Sequence, residues 1–586
     1  MGWNILKEQI FPVIYASGKR ASLGMYDVLK EADKIQEIHT GCPGDIGDFL
    51  LTRLLTAFVQ AAYQFRKTDL SDKLDALAEG SMDMNKIDRY IQYCENKGVS
   101  FELTGNGERL FLQPETDLKE LKNNKSAEHP LTAFAYWVPS GNADVFHDIQ
   151  YNYDANTNVD ETGLTATEYL CALLHNYFCH SGNATSGKDG VQISPGSQIP
   201  SYILLHGNNL FETLILSCGH MGKDQYGRSL PIWEAPERTE ELNKLDPNNG
   251  ETGNLAYIYT RNNVFYPGQV NPDTNRIEKV YWLWSRIDFK VAQKYWAMND
   301  PHIIRLQDDD HGVWAERIRP LIDQPWMECT EVLPCDRNCQ NSLLRDLVVM
   351  RKSDQKMVVP QKVKLVFYFY QYKYKGETIN TIYNSKAVIE ENIGFITDSL
   401  MTNILRDSVR RIRRTGDALA KAVRWSYYKQ IHPDVEWDTS ISSPKSKAKK
   451  PAIEIASQEY CTIGESDQMM LYHAMRQFIQ KNEEIWYEKR KEVLSLYEKY
   501  KQSHFKDPDV SIVAKYDNQI RDVICGQVKE QSEKIIHECF QQNGMNSGNS
   551  VLAAESAKRY LRSRLRIIFE PDKENKDVTN KENRGL

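Results

Sequence analysis

Apolar positions recur at helical spacing over residues 45–66 and 84–95, and the same period is read over residues 22–38, which predicts three early helices. A fourth is predicted over residues 166–179. Short apolar or aromatic runs at residues 101–103, 110–112 and 363–370 predict strands, and polar loops lie at 182–198 and 243–254. No repeat is visible, and segments this short and unequal do not give the regular alternation of a doubly wound sheet. From about Ala387 the pattern changes. Ile393, Ile396, Leu400, Ile404, Ile412, Leu419 and Val423 keep helical spacing for about eight turns. A polar stretch over residues 434–451 reads as a loop, and helical patterns return over 467–501, 509–541 and 550–569. Four amphipathic helices in succession imply a bundle. The fold class expected is therefore α+β: a large mixed N-terminal domain, residues 1–386, followed by a C-terminal four-helix bundle, residues 387–570, with a polar loop at 431–465. The charged tail at 571–586 lacks apolar anchors and is expected to be disordered.

The composition supports this division. Of 586 residues, 41% are hydrophobic and 26% charged, enough apolar material for more than one core and too much for a mainly disordered or collagen-like chain. No apolar run approaches the roughly 20 residues that span a bilayer. Lys7 and Glu8 interrupt any signal-peptide pattern, so a soluble cytoplasmic protein with no membrane partner is expected. Eleven cysteines without a CxxC pair suit reduced thiols.

Net charge is −7, but it is unevenly placed. Residues 341–450 carry 21 Lys and Arg against 11 Asp and Glu, which leaves the remainder at −17. A basic segment within an acidic protein suggests one localised contact with a polyanion, and a lysine-rich loop beside an ordinary solvated face is the plainer account.

Several constellations could carry chemistry. Gly182-Asn183-Ala184-Thr185-Ser186-Gly187-Lys188 matches a phosphate-binding GxxxxGK, but Asp189 stands where Ser or Thr should hold magnesium. A helix precedes the segment where a strand should, so an NTPase is disfavoured. Its glycines would still let the backbone approach a ligand closely. Cys171, His175 and Cys179 share a helix face, but the first and last lie about 12 Å apart along the axis, too far for one tetrahedral zinc. Cys218 with His220, and Cys329, Cys335 and Cys339, are looser still. Asp308-Asp309-Asp310-His311 has nuclease-like residues, but adjacent side chains diverge. A non-enzyme without metal or cofactor is expected. The alternative is a metal- or nucleotide-dependent nuclease or NTPase.

The strongest non-catalytic signal is a basic row. At 100° per residue Arg406, Arg410, Arg413, Arg414, Lys421 and Arg424 fall opposite the apolar face of the long helix that follows Ala387. Arginines bond phosphate oxygens, often bidentately, without reading sequence. With few acids between them, the row favours nucleic acid over simple solvation.

An ordered series of motifs resembles the large subunit of the type I-E CRISPR Cascade complex, the CasA family. It opens with Asn4-Ile5-Leu6, Phe11-Pro12-Val13-Ile14 and Ala21-Ser22-Leu23-Gly24-Met25-Tyr26, where Phe11 replaces the usual tryptophan. Tyr90-Ile91, Val99 to Leu103 and Leu110-Phe111-Leu112-Gln113 follow, Leu110 standing in place of a proline. Then come Leu205-His206-Gly207-Asn208-Asn209-Leu210-Phe211-Glu212, Pro231-Ile232-Trp233-Glu234, Tyr259-Thr260-Arg261, Asp300-Pro301-His302 and Trp326.

The resemblance implies a non-catalytic subunit of a crRNA-guided surveillance complex that reads a protospacer-adjacent motif from the minor groove and starts strand opening. It implies a DNA-motif loop at Gly182, Asn183, Ser186, Gly187 and Lys188, and an early nucleic-acid loop at Asn142, Val145, Phe146 and His147. A motif-contacting lysine would be Lys290 or Lys294, and a strand-parting wedge would lie at Lys373, Lys375, Gly376, Glu377 and Thr378. The implied partners are the crRNA-containing backbone and small subunits, double-stranded target DNA and a helicase-nuclease.

Overall fold

The computed structural model describes residues 2–41, 46–65, 70–105, 110–112, 128–129, 131, 146–147, 162–179, 202–219, 231, 233–234, 263–267, 270–284, 301–302, 305–307, 314–316, 342–375, 378–393, 399–442, 449–459, 478, 480–482, 530–531, 534 and 548–569. The chain divides into two compact units, Met1–Ser399 and Leu400–Leu586.

The first unit begins with β1 (Phe11–Tyr15), β2 (Arg20–Leu23), α1 (Met25–Lys30), β3 (Ile35–Ile38), α2 (Ile46–Tyr63), α3 (Ser71–Glu79) and α4 (Met84–Asn96). Two short strands follow, β4 (Glu128–His129) and β5 (Phe146–His147), then α5 (Ala166–Cys179), β6 (Tyr202–His206) and α6 (Leu210–Ser217). Next are β7 (Asn263–Pro267), β8 (Val270–Asn271), β9 (Arg276–Ile277), β10 (Val280–Trp284), β11 (Arg305–Gln307) and β12 (Trp314–Glu316). The unit closes with α7 (Ser342–Ser353) and the long hairpin β13 (Lys362–Lys375) and β14 (Thr378–Asn392). The second unit contains α8 (Ser399–Ile431), the small hairpin β15 (Ser440–Ser442) and β16 (Lys449–Pro451), α9 (Ala452–Glu459) and α10 (Gly548–Phe569).

The core of the first unit is built on α2. Every residue from Ile46 to Ala61 is buried, so this helix is enclosed rather than laid on a surface. Its polar residues are satisfied in place. Thr40 donates from its backbone N–H (2.6 Å) and its hydroxyl (2.7 Å) to Asp48, and Gly219 donates its N–H to Gln60 Oε1 (2.8 Å). The Arg53 guanidinium lies over the rings of Phe49 and Tyr202.

Against α2 lies a four-stranded sheet of order β5-β14-β13-β6. β6 runs antiparallel to β13 from Lys364↔His206 to Tyr368↔Tyr202. The Phe49 ring lies tilted 5.3 Å from Tyr202 and 4.7 Å from Tyr368 on one face, while Ile203, Leu205, Val363 and Leu365 are buried on the other. A strand covered on both sides reads as a nearly continuous apolar run, which is why residues 363–370 were legible.

Lysine 73, 1% exposed, joins three helices. Its ammonium bonds the Cys218 carbonyl at the end of α6 and lies 3.4 Å from Asp346 Oδ2 of α7. In the second unit Trp425 Nε1 of α8 donates to Ser556 Oγ of α10 (3.0 Å), and Trp437 packs edge-on against Tyr560.

The structure corrects several sequence expectations. Residues 22–38 are not one helix. β2 ends at Leu23, α1 is short, and Ile35–Ile38 form β3, because pairing with β1 (Phe11↔Leu23, Val13↔Ile38) competes successfully with a local helix. Residues 101–103 and 110–112 form no strand: Glu102 makes an isolated bridge to Asn4, and Phe111–Leu112 turn. The change to helix does not come at Ala387, since β14 continues to Asn392, pairing Val388 with Val366 and Ile389 with Leu365. The expected loop at 431–465 holds the β15–β16 hairpin and α9, whose Ala452, Ile453, Ile455 and Ala456 are buried. Of the helices expected over 467–501 and 509–541, only residues 478, 480–482, 530–531 and 534 are described, all helical. The tail at 571–586 lies outside the described residues. Among the described residues no helix is long and apolar enough to cross a membrane.

Candidate nucleic-acid interface

Two segments singled out in the sequence meet in the four-stranded sheet. Phe146 and His147, the end of the early loop, form β5, which pairs in parallel with Thr381 and Ile382 of β14. Those residues are in turn opposite Lys373 and Tyr372 of β13. Phe146, Thr381 and Lys373 thus occupy one row across three strands, although the first is more than 200 positions from the others in sequence.

The hairpin continues beyond its last described pairing with β6, at Tyr368, to the pair Lys375↔Thr378. That extension of seven residues is about 23 Å of ribbon. A two-stranded ribbon needs support to be stable, and β5 supplies a third strand near its end. A register shift between Lys373 and Tyr374 increases the local twist. Gly376 and Glu377, which connect the strands, lie outside the described residues, as do Asn142 and Val145. So do the loop containing Gly182, Asn183, Ser186, Gly187 and Lys188, both Lys290 and Lys294, and Asp308 to His311.

The basic row on α8 is partly displayed. Arg410, Arg414 and Lys421 are exposed, with Asp417 exposed among them. Arg413 and Arg424 are half-buried, so the solvent-facing row is narrower than the helical wheel implies. Arg406 lies in the helix, its side chain outside the described set. Val409, Ile412, Leu419, Ala422 and Val423 are buried on the opposite side. The sequence reading passed over a second row, Arg559, Arg562 and Arg566 of α10, all exposed; its signal was basic residues at spacings of three and four.

Several motif residues of the first unit that are described have structural roles. Tyr90 donates its hydroxyl to Glu234 Oε1 (2.6 Å) and accepts from Trp233 Nε1 (2.9 Å), beside the rings of Phe58, Phe101 and Phe111. Burial raises the Tyr90 phenol well above its ordinary range, and the Glu234 charge adds to this. Asn209 caps α6 by accepting from the Glu212 N–H (2.9 Å), and the Glu212 carboxylate accepts from the Asn208 N–H (2.7 Å). Gly207 is required there because a Cβ would collide with the Glu212 side chain. His302 bonds the Ser217 carbonyl through Nε2 (2.9 Å), while its own carbonyl accepts from Ile203 N–H (2.8 Å).

The cysteines do not assemble a site among the described residues. Cys171 and Cys218 are buried thiols, the latter pushed up to about 12 by burial. No group of three or more potential metal ligands is found among the described residues.

The family model of CRISPR-associated protein Cse1 matches residues 4–429. The chain belongs to the Cse1 family. No curated protein matches the chain. Among solved structures, CRISPR-associated protein Cse1 from Acidimicrobium ferrooxidans is similar at 15% identity and TM-score 0.60, over 97% of this chain and 99% of that one. Thermobifida fusca Cse1 is similar at 15% identity and TM-score 0.59, over 97% of this chain and 98% of that one. A chain of a CRISPR RNA-guided surveillance complex is similar at 15% identity and TM-score 0.59, covering 96% of this Cse1-family chain and 99% of its own. At such identity the likeness concerns the mixed helix-and-strand fold, which extends over almost the whole chain.

Proposed function

We propose that this Cse1-family chain is a non-catalytic subunit of a crRNA-guided DNA surveillance complex in the cytoplasm, joined to crRNA-carrying backbone and small subunits. The observation that supports it most is the row Phe146, Thr381 and Lys373, in which residues 146–147 pair with the long hairpin of a Cse1-family chain. Guide pairing reads the target sequence, and this chain reads a short motif in the duplex. The glycine loop around Gly182 to Lys188 enters the minor groove, where small residues fit and the base-pair pattern is degenerate, so several motif variants are accepted. Lys290 or Lys294 contacts the motif.

Lys373, Lys375, Gly376, Glu377 and Thr378 part the first base pair, a step whose unstacking costs a few kcal/mol and is offset by groove contacts. A four-helix bundle in the second unit, with Arg406, Arg410, Arg413, Arg414, Lys421 and Arg424 along one helix, holds a separated strand by its phosphates. A helicase-nuclease then docks and supplies the bond-breaking chemistry, which this chain lacks.

The test is reconstitution with the guide-bearing subunits. Co-elution of the chain with the ribonucleoprotein, and no DNA or ATP turnover by the chain alone with magnesium, is the expected outcome. A chain that elutes by itself, or turnover abolished by Lys188→Ala or Asp309→Ala, would overturn the reading in favour of an enzyme.

A further inference from the structure

The last helix carries a basic surface separate from the row on α8. Between Gly548 and Phe569 stand five cations, Lys558, Arg559, Arg562, Arg564 and Arg566, and one acid, Glu555. Burial of Ala553, Ala557, Tyr560, Leu561 and Leu565 fixes the inner side of α10. Arg559, Arg562 and Arg566, at spacings of three and four, are exposed and therefore follow one line along the outer side. The one acid is already engaged: Lys558 Nζ lies 3.1 Å from Glu555 Oε1. The Glu555 carboxyl is held below its ordinary range by that hydrogen bond and charge, with Arg562 and Arg559 adding to it.

The neighbouring element adds to the positive field. α8 packs against α10 through Trp425 and Ser556, and among its described side chains the exposed charged ones are Arg410, Arg414 and Lys421 with one acid, Asp417.

The makeup of the outer side of α10 decides what it suits. A protein-binding patch has an apolar centre ringed by polar residues. From Glu555 to Arg566 every exposed residue is charged, and the exposed apolar residues Val551, Leu552 and Ile567 fall at the two ends. The cations in the row are arginines, whose planar forks match phosphate oxygens two at a time. One turn of helix, about 5.4 Å, separates successive guanidinium attachments, which suits a polymer of regularly spaced anions.

We propose that Arg559, Arg562 and Arg566 form a second phosphate-binding row that holds the sugar–phosphate backbone of a nucleic-acid strand. This rests on the reading of the chain as a nucleic-acid-handling subunit. The row takes any sequence, because it meets no base edges.

The experiment replaces Arg559, Arg562 and Arg566 by Gln in the full chain, assembled into the guide complex. Affinity for a target duplex is then followed across salt concentrations. Three lost phosphate contacts should make the plot of log affinity against log salt shallower by about 2, with equal weakening for every motif variant. Assembly on gel filtration should be unchanged. An unchanged slope, or loss of assembly with unaltered DNA affinity, overturns the proposal, the latter reassigning the row to a protein partner.

If the unmodified complex binds no target, the surveillance reading fails. The row is then judged with the full chain alone and an oligothymidylate or a random-sequence duplex, where an unaltered salt slope in both overturns it. The single variant Arg566→Gln serves if the triple variant does not fold, with a shift of about 0.7 in slope expected.

Discussion

Phe146 and Thr381 are register partners in a parallel strand pair, and Thr381 is in turn opposite Lys373. The contact ties a short segment early in the chain to the far part of a hairpin rooted in the core by Tyr368 and Phe49. Among the described residues, β5 is the strand that flanks the hairpin at this level. The wedge role proposed for this hairpin would need such bracing, because an isolated two-stranded ribbon is only marginally stable.

Replacing Lys375, Gly376 and Glu377 together should slow strand opening more than it weakens initial duplex binding. Rapid-mixing fluorescence with a base analogue beside the motif measures the first, and equilibrium binding the second. A target with a pre-melted bubble should restore the rate. Failure of the bubble to rescue the variant would remove the wedge role from this hairpin.

Changing Arg410, Arg414 and Lys421 to Ala should weaken target binding equally across motif variants and lower the salt slope by about 2. These side chains are exposed on α8, and cations that bond phosphate oxygens carry no sequence information. Titrations at several salt concentrations check this, and a loss confined to one motif would contradict it.

Lys73→Met should lower stability by about 3 kcal/mol, since it leaves Asp346 buried with its cation removed and takes the donor from the Cys218 carbonyl. Chemical denaturation followed by tryptophan fluorescence gives the shift. A variant as stable as the parent would mean that the ammonium contributes no more than a packed methyl group.

His206 gives a pH dependence. Burial, with Lys386 and Lys364 adding to it, pushes its imidazole down to about 3, whereas the unfolded chain titrates near the ordinary value of 6.5. Between these values the unfolded state binds a proton that the folded state refuses, so this residue lowers stability as pH falls from 6.5 toward 3. Above 6.5 it has no effect. His206→Gln should therefore flatten the acid limb of stability against pH, measured by denaturant midpoints, and leave the neutral limb unchanged in slope. An acid limb of equal steepness in both proteins would count against it.

What the sequence made legible follows the strength of local pattern. Residues 46–63 and 84–96 declare themselves because a long amphipathic or apolar period has few alternatives. Asp83 adds a cap by accepting from the Asn85 and Lys86 N–H groups. β3 was hidden, since Ile35 and Ile38 are spaced as on a helix and only pairing with the earlier β1 (Val13↔Ile38, Tyr15↔Ile35) makes them a strand. α9 was hidden by its polar surroundings, although Ala452, Ile453, Ile455 and Ala456 carry a short helical period. At the candidate interface, residue types marked the hairpin and the basic helix. The pairing of Phe146 with Thr381 is long-range, and no local signal encodes it.

The most direct test compares guide complexes with and without this chain on two target duplexes that differ only in the protospacer-adjacent motif. The account predicts motif-dependent affinity only when the chain is present, and its loss as salt is raised. Equal affinity for both duplexes in the presence of the chain, or full discrimination in its absence, would contradict it.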